Sequence, residues 1–292
     1  MVVCFGSINL DLIFPLPRIP AAGETVLGPD VAIAPGGKGG NQAVAAALDG
    51  AVVKMVGAVG RDALAAGALA GLRAAGVDIS GVAEVEATTG CAAIFVSPTG
   101  DNAIGVGSGA NLLARAAQVE DSLLSPETTL VLQMEVPARE TEEIIRRARG
   151  RGARIVLNLA PAAPLAREAL ALVDLLVVNE SEAAWLGGHL GCAPGALHQA
   201  LGVDVVRTLG AAGAVFSGRA KTINVPAHPV AVVDTTAAGD AFTGVLAAGL
   251  DRGLPIAAAL RRASVAAGLT CTRHGTQNSL PTRAETDAAV AP

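Results

Sequence analysis

The chain has 292 residues, 21 Lys and Arg against 26 Asp and Glu (formal charge -5), 51% hydrophobic residues, 35 glycines and few rings: five Phe, one Trp and no Tyr. That hydrophobic share excludes a disordered chain, and the length suits one large α/β domain or two small ones. The acidic balance and the shortage of rings exclude a basic, stacking surface for nucleic acid.

Met1–Ile8 is apolar, but no basic residues precede it and Asn9 and Asp11 follow at once, so it is read as a strand and not as a signal peptide. Val2–Phe5 is the first buried run. Asp11–Ala34 reads as a strand pair turning at Pro20–Gly23, and a glycine loop then leads into a helix over Ala43–Leu48. Val52–Val56 precedes a helix over Ala63–Ala75. Thr88–Gly107 reads as a second strand pair, turning at Ser97–Gly100. From there strands alternate with helices: Leu130–Leu132, helix Arg139–Arg149, Ile155–Leu157, helix Leu165–Leu172, Leu175–Val178, helix Ala196–Leu201, Val205–Val206. A hairpin over Gly213–Val225 and helices from about Asp240 and Ile256 complete the chain. Continuous apolar strands between helices predict a mostly parallel central sheet flanked by helices on both faces, an α/β fold. The two strand pairs interrupt the alternation and predict a small β-sheet lid, segments 11–34 and 88–107 of one domain over 1–292. The stretch Ala183–Val203 lacks charge but holds Gly187, Gly188, Pro194 and His198, a poor membrane span. Cys4, Cys91, Cys192 and Cys271 are dispersed, as expected of buried thiols in a reducing cytoplasm. His189, Cys192 and His198 fit no structural-zinc spacing.

Several strand runs end in isolated polar residues: Ser7, Asn9 and Asp11; Gln133 and Glu135; Asn158; Asn179 and Glu182; Arg207, Thr208 and Gly210. Ligands of parallel sheets bind outside the carboxyl ends of the strands, so these groups converge on one edge. Pro35-Gly-Gly-Lys-Gly-Gly-Asn41 is not a Walker loop, because Gly39 follows Lys38 where a magnesium-binding hydroxyl is needed. Gly105–Ala110 satisfies G-x-G-x-x-A but lacks the βαβ unit and well-spaced acid of a dinucleotide site. Asp234-Thr-Thr-Ala-Ala-Gly-Asp240 runs straight into a helix. Its tiny residues expose N–H groups at a helix N-terminus, which attracts phosphate. Capping alone would explain Asp240, but not a second acid six residues earlier. An acid beside an anion cradle suits phosphoryl transfer.

Taken in order, these motifs resemble the PfkB family of carbohydrate kinases, most closely its ribokinase branch. Gly6-Ser-Ile-Asn-Leu-Asp11, Gly36–Ala43, Asn179-x-x-Glu182, Asp234–Asp240 and Thr272–Ser279 carry the resemblance, which spans nearly the whole chain. It implies the ribokinase-like fold and an ATP-dependent kinase acting on the primary hydroxyl of a pentose. Asn9, Asp11, Gly37, Lys38, Asn41 and Glu135 would hold the sugar, and Asp240 would be the base. Backbone groups of Ala237, Ala238 and Gly239 would form the anion hole. Asn179, Thr208, Gly210, Gly213 and Ser264 would line the ATP site, with Glu182 organising Mg2+ through water. Asp234, Thr236, Thr270, Arg273, Gly275 and Ser279 would surround K+, several through backbone oxygens. The lid would form a homodimer contact, and no membrane or nucleic-acid partner is implied. Gly40 stands where Ala is common, Asn278 where Pro is frequent, and Ser264 where a larger residue often meets the adenine. Alternatives are a kinase for 2-deoxyribose, a ketohexose or a nucleoside, or a non-catalytic sugar-binding protein of the same fold.

Overall fold

The computed structural model describes residues 1–99 and 102–290; Gly100, at the expected second lid turn, lies outside the described residues. The strands are β1 (Val2–Phe5), β2 (Asn9–Pro15), β3 (Ala32–Gly36), β4 (Val53–Gly60), β5 (Asp78–Val85), β6 (Gly90–Val96), β7 (Asn102–Gly107), β8 (Thr129–Leu132), β9 (Arg154–Asn158), β10 (Leu175–Val178), β11 (Asp204–Thr208), β12 (Ala214–Ser217) and β13 (Thr222–Val225). The α-helices are α1 (Lys38–Leu48), α2 (Ala63–Ala68), α3 (Ala70–Ala74), α4 (Ala138–Arg151), α5 (Arg167–Leu170), α6 (Glu180–Leu190), α7 (Leu197–Leu201), α8 (Ala238–Asp251), α9 (Ile256–Thr270) and α10 (Arg283–Val290).

The large sheet runs β13-β12-β11-β10-β9-β8-β1-β4-β5. It is parallel from β11 to β5, and only the terminal hairpin β12–β13 runs antiparallel. Both faces are covered, which is why β1, β8 and β10 are buried at every residue. The small sheet runs β3-β2-β6-β7. Its two inserted segments meet through the parallel pair β2–β6, with antiparallel partners outside. The chain visits β4 on one side of β1 and β8 on the other, so the strand order reverses beside β1. That reversal opens a crevice where the polar ends of β1 and β8 face each other.

The glycine loop is itself helical. α1 begins at Lys38, five residues before the expected Ala43, because Gly37 turns the chain at φ +82° and the Gly40 N–H bonds the Ser7 carbonyl at 2.8 Å. The expected helix over Ala63–Ala75 is two short helices meeting at Leu69, with Gly67 and Gly71 weakening it. β5, α6 and α10 were not anticipated: β5 is a half-exposed edge, α6 has weak apolar periodicity, and α10 buries only Thr286. Gly105–Ala110 closes edge strand β7 and enters a short 3-10 turn, with no strand–loop–helix unit for a dinucleotide.

α1 and α8 pack at backbone distance. A Cβ on Gly244 of α8 would lie 2.4 Å from the Gln42 carbonyl and 2.7 Å from the Ala45 Cβ. At the far end of α1 the buried Asp49 accepts from Arg262 Nε at 2.7 Å and from Arg252 Nη2 at 2.6 Å, joining α1 to α9 and to the end of α8. Gly244→Ala is expected to destabilise the fold by about 1–3 kcal/mol through overpacking, measured by urea unfolding. A midpoint equal to that of the wild type would mean the helices can separate without cost.

Candidate active site

Asp240 sits in the first turn of α8, 7% exposed, held by the two amides that follow one another on α1. Asn41 Nδ2 donates to Asp240 Oδ2 at 3.0 Å, and Gln42 Nε2 donates to Oδ1 at 2.9 Å. Each amide is anchored behind. Gln277 Nε2 donates to Asn41 Oδ1 at 3.1 Å, and Gln133 Nε2 donates to Gln42 Oε1 at 2.8 Å. Just before the helix Ala237 adopts a left-handed conformation at φ 60°, and a Cβ on Gly239 would meet nothing within 4 Å, so the backbone of this turn is open. The first N–H groups of a helix lack intrahelical partners, so this turn presents N–H groups beside a carboxylate, that of Ala238 donating to the Thr235 carbonyl at 3.3 Å.

The end of β1 and the start of α1 interlock. Ser7 Oγ donates to Glu135 Oε2 at 2.6 Å, and the Lys38 backbone N–H donates to the same oxygen at 2.9 Å. Asn9 Oδ1 accepts from Asn111 Nδ2 at 2.7 Å. Asp11 lies against the bare backbone of Gly36, where a Cβ would come within 2.0 Å of its carboxylate. Its Oδ1 is buried without a hydrogen-bond partner, an acceptor aimed at a donor the protein does not supply. Burial, then the Glu135 and Asp240 carboxylates, push Asp11 up to about 7, with Lys38 opposing. Lys38 is held above its ordinary value chiefly by Asp240, against burial and with help from Glu135, Glu182 and Asp11. Of the sugar residues expected from the sequence, Asp11, Lys38 and Glu135 thus share one electrostatic cluster with Asp240, to which Asn41 is hydrogen-bonded, while Asn9 is paired with Asn111.

The remaining expected residues lie on the ends of β10 and β11, on loops, and on helices α6 and α9. Asn179 caps α6, and its motif with Glu182 is a capping box: Asn179 Oδ1 accepts from Glu182 N–H at 2.8 Å, and Glu182 Oε2 accepts from Asn179 N–H at 2.7 Å. Burial raises Glu182 above its ordinary value, with the Asn179 bond and Lys38 opposing and Asp240 adding. Thr208 ends β11 beside Val178, and Gly210 and Gly213 turn the chain at φ +53° and +89°. The Ser264 hydroxyl is spent on the Pro226 carbonyl at 2.8 Å.

Burial works to raise Asp234, but bonds from Thr236 and from the Gly275 N–H hold it below its ordinary value. Asp234 Oδ2 accepts that Gly275 N–H at 3.0 Å, tying the loop before α8 to the loop after α9. Thr270 and Ser279 turn their hydroxyls onto backbone carbonyls, and Arg273 pairs with Glu285, so this loop offers oxygen mainly through its backbone. Carboxylate and carbonyl oxygens are the donors that hard cations take. Among the described residues no three His, Cys, Asp or Glu side chains cluster as a metal cage.

Sequence reasoning gave no role to Gln42, Gln277, Ser7, Gln133 or Asn158. Gln42 and Gln277 lay inside recognised motifs, and Ser7, Gln133 and Asn158 were visible as polar strand ends. Which atoms they touch follows only from packing.

Residues 1–283 match the model of the pfkB family carbohydrate kinases. A ribokinase of Bacillus subtilis is 38% identical over 291 residues, covering 98% of each chain. The structure of a Thermotoga maritima ribokinase superposes with a TM-score of 0.92 at 30% identity, covering 99% of this chain and 98% of that one. An Arabidopsis thaliana ribokinase complexed with ribose and ATP superposes with a TM-score of 0.90 at 29% identity, covering 100% and 98%.

A carboxyl whose folded pKa lies above its unfolded one stabilises the protein fully below the unfolded value, here 3.8, and loses that contribution as pH rises through about 7. Asp11→Asn removes this titration. Its melting temperature relative to wild type is expected to climb between about pH 4 and pH 7 and to level off above that. A constant difference would refute the raised value.

Proposed function

The chain belongs to the pfkB family of carbohydrate kinases, phosphotransferases acting on a sugar hydroxyl, and we propose that it transfers the γ-phosphate of ATP to the primary hydroxyl of D-ribose, giving ribose 5-phosphate. The observation that carries this reading is the buried Asp240 at the open first turn of α8, beside the unpartnered Asp11 oxygen. Asn9, Asp11, Gly37, Lys38, Asn41 and Glu135 bind the sugar. Buried hydrogen-bonding groups reject an analogue lacking a hydroxyl, because they would be left unpaired. Asp240 accepts the hydroxyl proton as the new oxygen–phosphorus bond forms and the bond to the β-phosphate breaks, releasing ADP. N–H groups of Ala237, Ala238 and Gly239 hold the oxygens of the transferring phosphoryl group. Asn179, Thr208, Gly210, Gly213 and Ser264 line the nucleotide site, with Ser264 contributing packing because its hydroxyl is engaged.

Glu182 would order the water around a hydrated Mg2+, which would neutralise charge on the triphosphate. Asp234, Thr236, Thr270, Arg273, Gly275 and Ser279 would surround K+, several of them through backbone oxygens. A homodimer through the small sheet is supported by Ile104 and Val106, 56% and 50% exposed, which the strand register places on the same face as Asp11. No helix among the described residues is long and apolar enough to cross a membrane, and the four free thiols suit the cytoplasm.

ADP release measured with D-ribose, 2-deoxyribose, fructose, tagatose and adenosine, with and without K+, tests the assignment. Ribose is expected to give the highest kcat/KM, and K+ to raise the rate. Activity on adenosine but not ribose overturns the substrate, and indifference to K+ overturns the cation site. Asp240→Asn is expected to lower kcat by about 10²–10⁴-fold with little change in sugar KM. Near-full kcat would remove Asp240 from the mechanism.

A further inference from the structure

We propose that Gln42 and Gln133 form an amide relay that positions the Asp240 carboxylate for proton transfer, Gln42 bonding the base and Gln133 fixing which end of the Gln42 amide faces it. This rests on Asp240 being the base of the phosphotransfer proposed above.

A carboxylate on a helix can rotate about its last side-chain bond. Asp240 is stopped by two donors, one on each oxygen, at 3.0 Å and 2.9 Å. A glutamine can hold a carboxylate only with its NH2 end, and its shape alone does not select that end. Here the neighbours select it. Gln42 Oε1 accepts from Gln133 Nε2 at 2.8 Å, while Gln42 Nε2 donates to Asn158 Oδ1 at 3.0 Å as well as to Asp240. Turning the amide over would set an oxygen against two oxygens and an NH2 against the Gln133 NH2.

Gln42 and Gln133 are 1% and 0% exposed. Apolar residues of equal volume could fill such buried positions without loss of stability, so packing alone does not account for amides there. The surroundings are shaped for Gln133 as well: Gly6 lacks the Cβ that would come within 1.9 Å of Gln133 Oε1. Gln133 directly follows β8, which lies between β1 and β9 inside the large sheet. The base on α8 is therefore referenced, through α1, to a buried interior strand of the large sheet.

Gln42→Met, Gln133→Met and the double variant test the relay. The wild type is first run across the sugar panel, and all variants are compared on whichever sugar it phosphorylates, so failure of the ribose assignment leaves this comparison intact. Rates are taken per folded enzyme, counted by ADP-binding stoichiometry. Gln42→Met is expected to lower kcat by about 10–100-fold, the loss of a hydrogen bond to a charged group, with sugar KM within about twofold. Gln133→Met is expected to lower kcat by about 3–10-fold, and to have no further effect once Gln42 is Met. A purely structural role would lower the melting temperature and leave kcat per folded enzyme unchanged. A kcat within about twofold of wild type for Gln42→Met, or an undiminished Gln133 effect in the Gln42→Met background, overturns the relay. Should Gln42→Met fail to fold, Gln133→Met alone decides on the same twofold criterion.

Discussion

The close approach of α1 and α8 is the constraint on which the site depends. Helices meet at backbone distance only where their facing side chains are nearly absent. α1 contributes Ala45 and Ala46 to this seam, and α8 contributes Ala241, Gly244 and Ala248. Hydrogen bonds tolerate only a few tenths of an ångström, so a larger side chain at Gly244 would pull Asn41 and Gln42 away from Asp240 together. The Asp49 cluster with Arg252 and Arg262 secures the other end of the same seam. Breaking a buried ion group of this kind strands a charge, which makes α1 costly to displace. The small residues on both helices, Gly244 above all, are thus what lets two helices share one carboxylate.

The electrostatics of the site follow from what the fold buries. Asp11, Glu135, Asp240 and Glu182 all act on one ammonium, Lys38. Acceptors outnumber donors, Asp11 Oδ1 has no partner, and both Asp11 and Glu182 are raised by burial. Carboxylates buried in this state are complementary to a ligand rich in hydroxyl donors. The first turn of α8 presents N–H groups, the opposite polarity. Rings contribute little to either task, and the composition has few to offer.

Much of this was legible without coordinates, and the exceptions have physical reasons. The alternation of Val2–Phe5, Leu130–Leu132, Ile155–Leu157 and Leu175–Val178 with helical stretches announced the parallel sheet, because strands buried on both faces must be apolar throughout. β5 escaped notice because an edge strand need not be apolar. The Asn179–Glu182 motif was visible as a family signature, while its closure into a capping box shows that helix geometry accounts for much of it. The glycine loop was recognised as unusual, but its folding into the first turn of α1 depends on Ser7, about 30 residues earlier, supplying the carbonyl for Gly40.

The sequence by itself determined the class of fold, the order of most of its elements, the acid at the head of α8 and the family of reactions it serves, since these depend on local periodicity and short motifs. Only the tertiary structure decided which polar groups touch. Gln42 and Gln133 lie 91 residues apart, and Gln42 and Asp240 lie 198 apart. An amide carries no mark of its partner, and whether it orients a base or merely fills space is settled by the few tenths of an ångström that packing leaves between two helices.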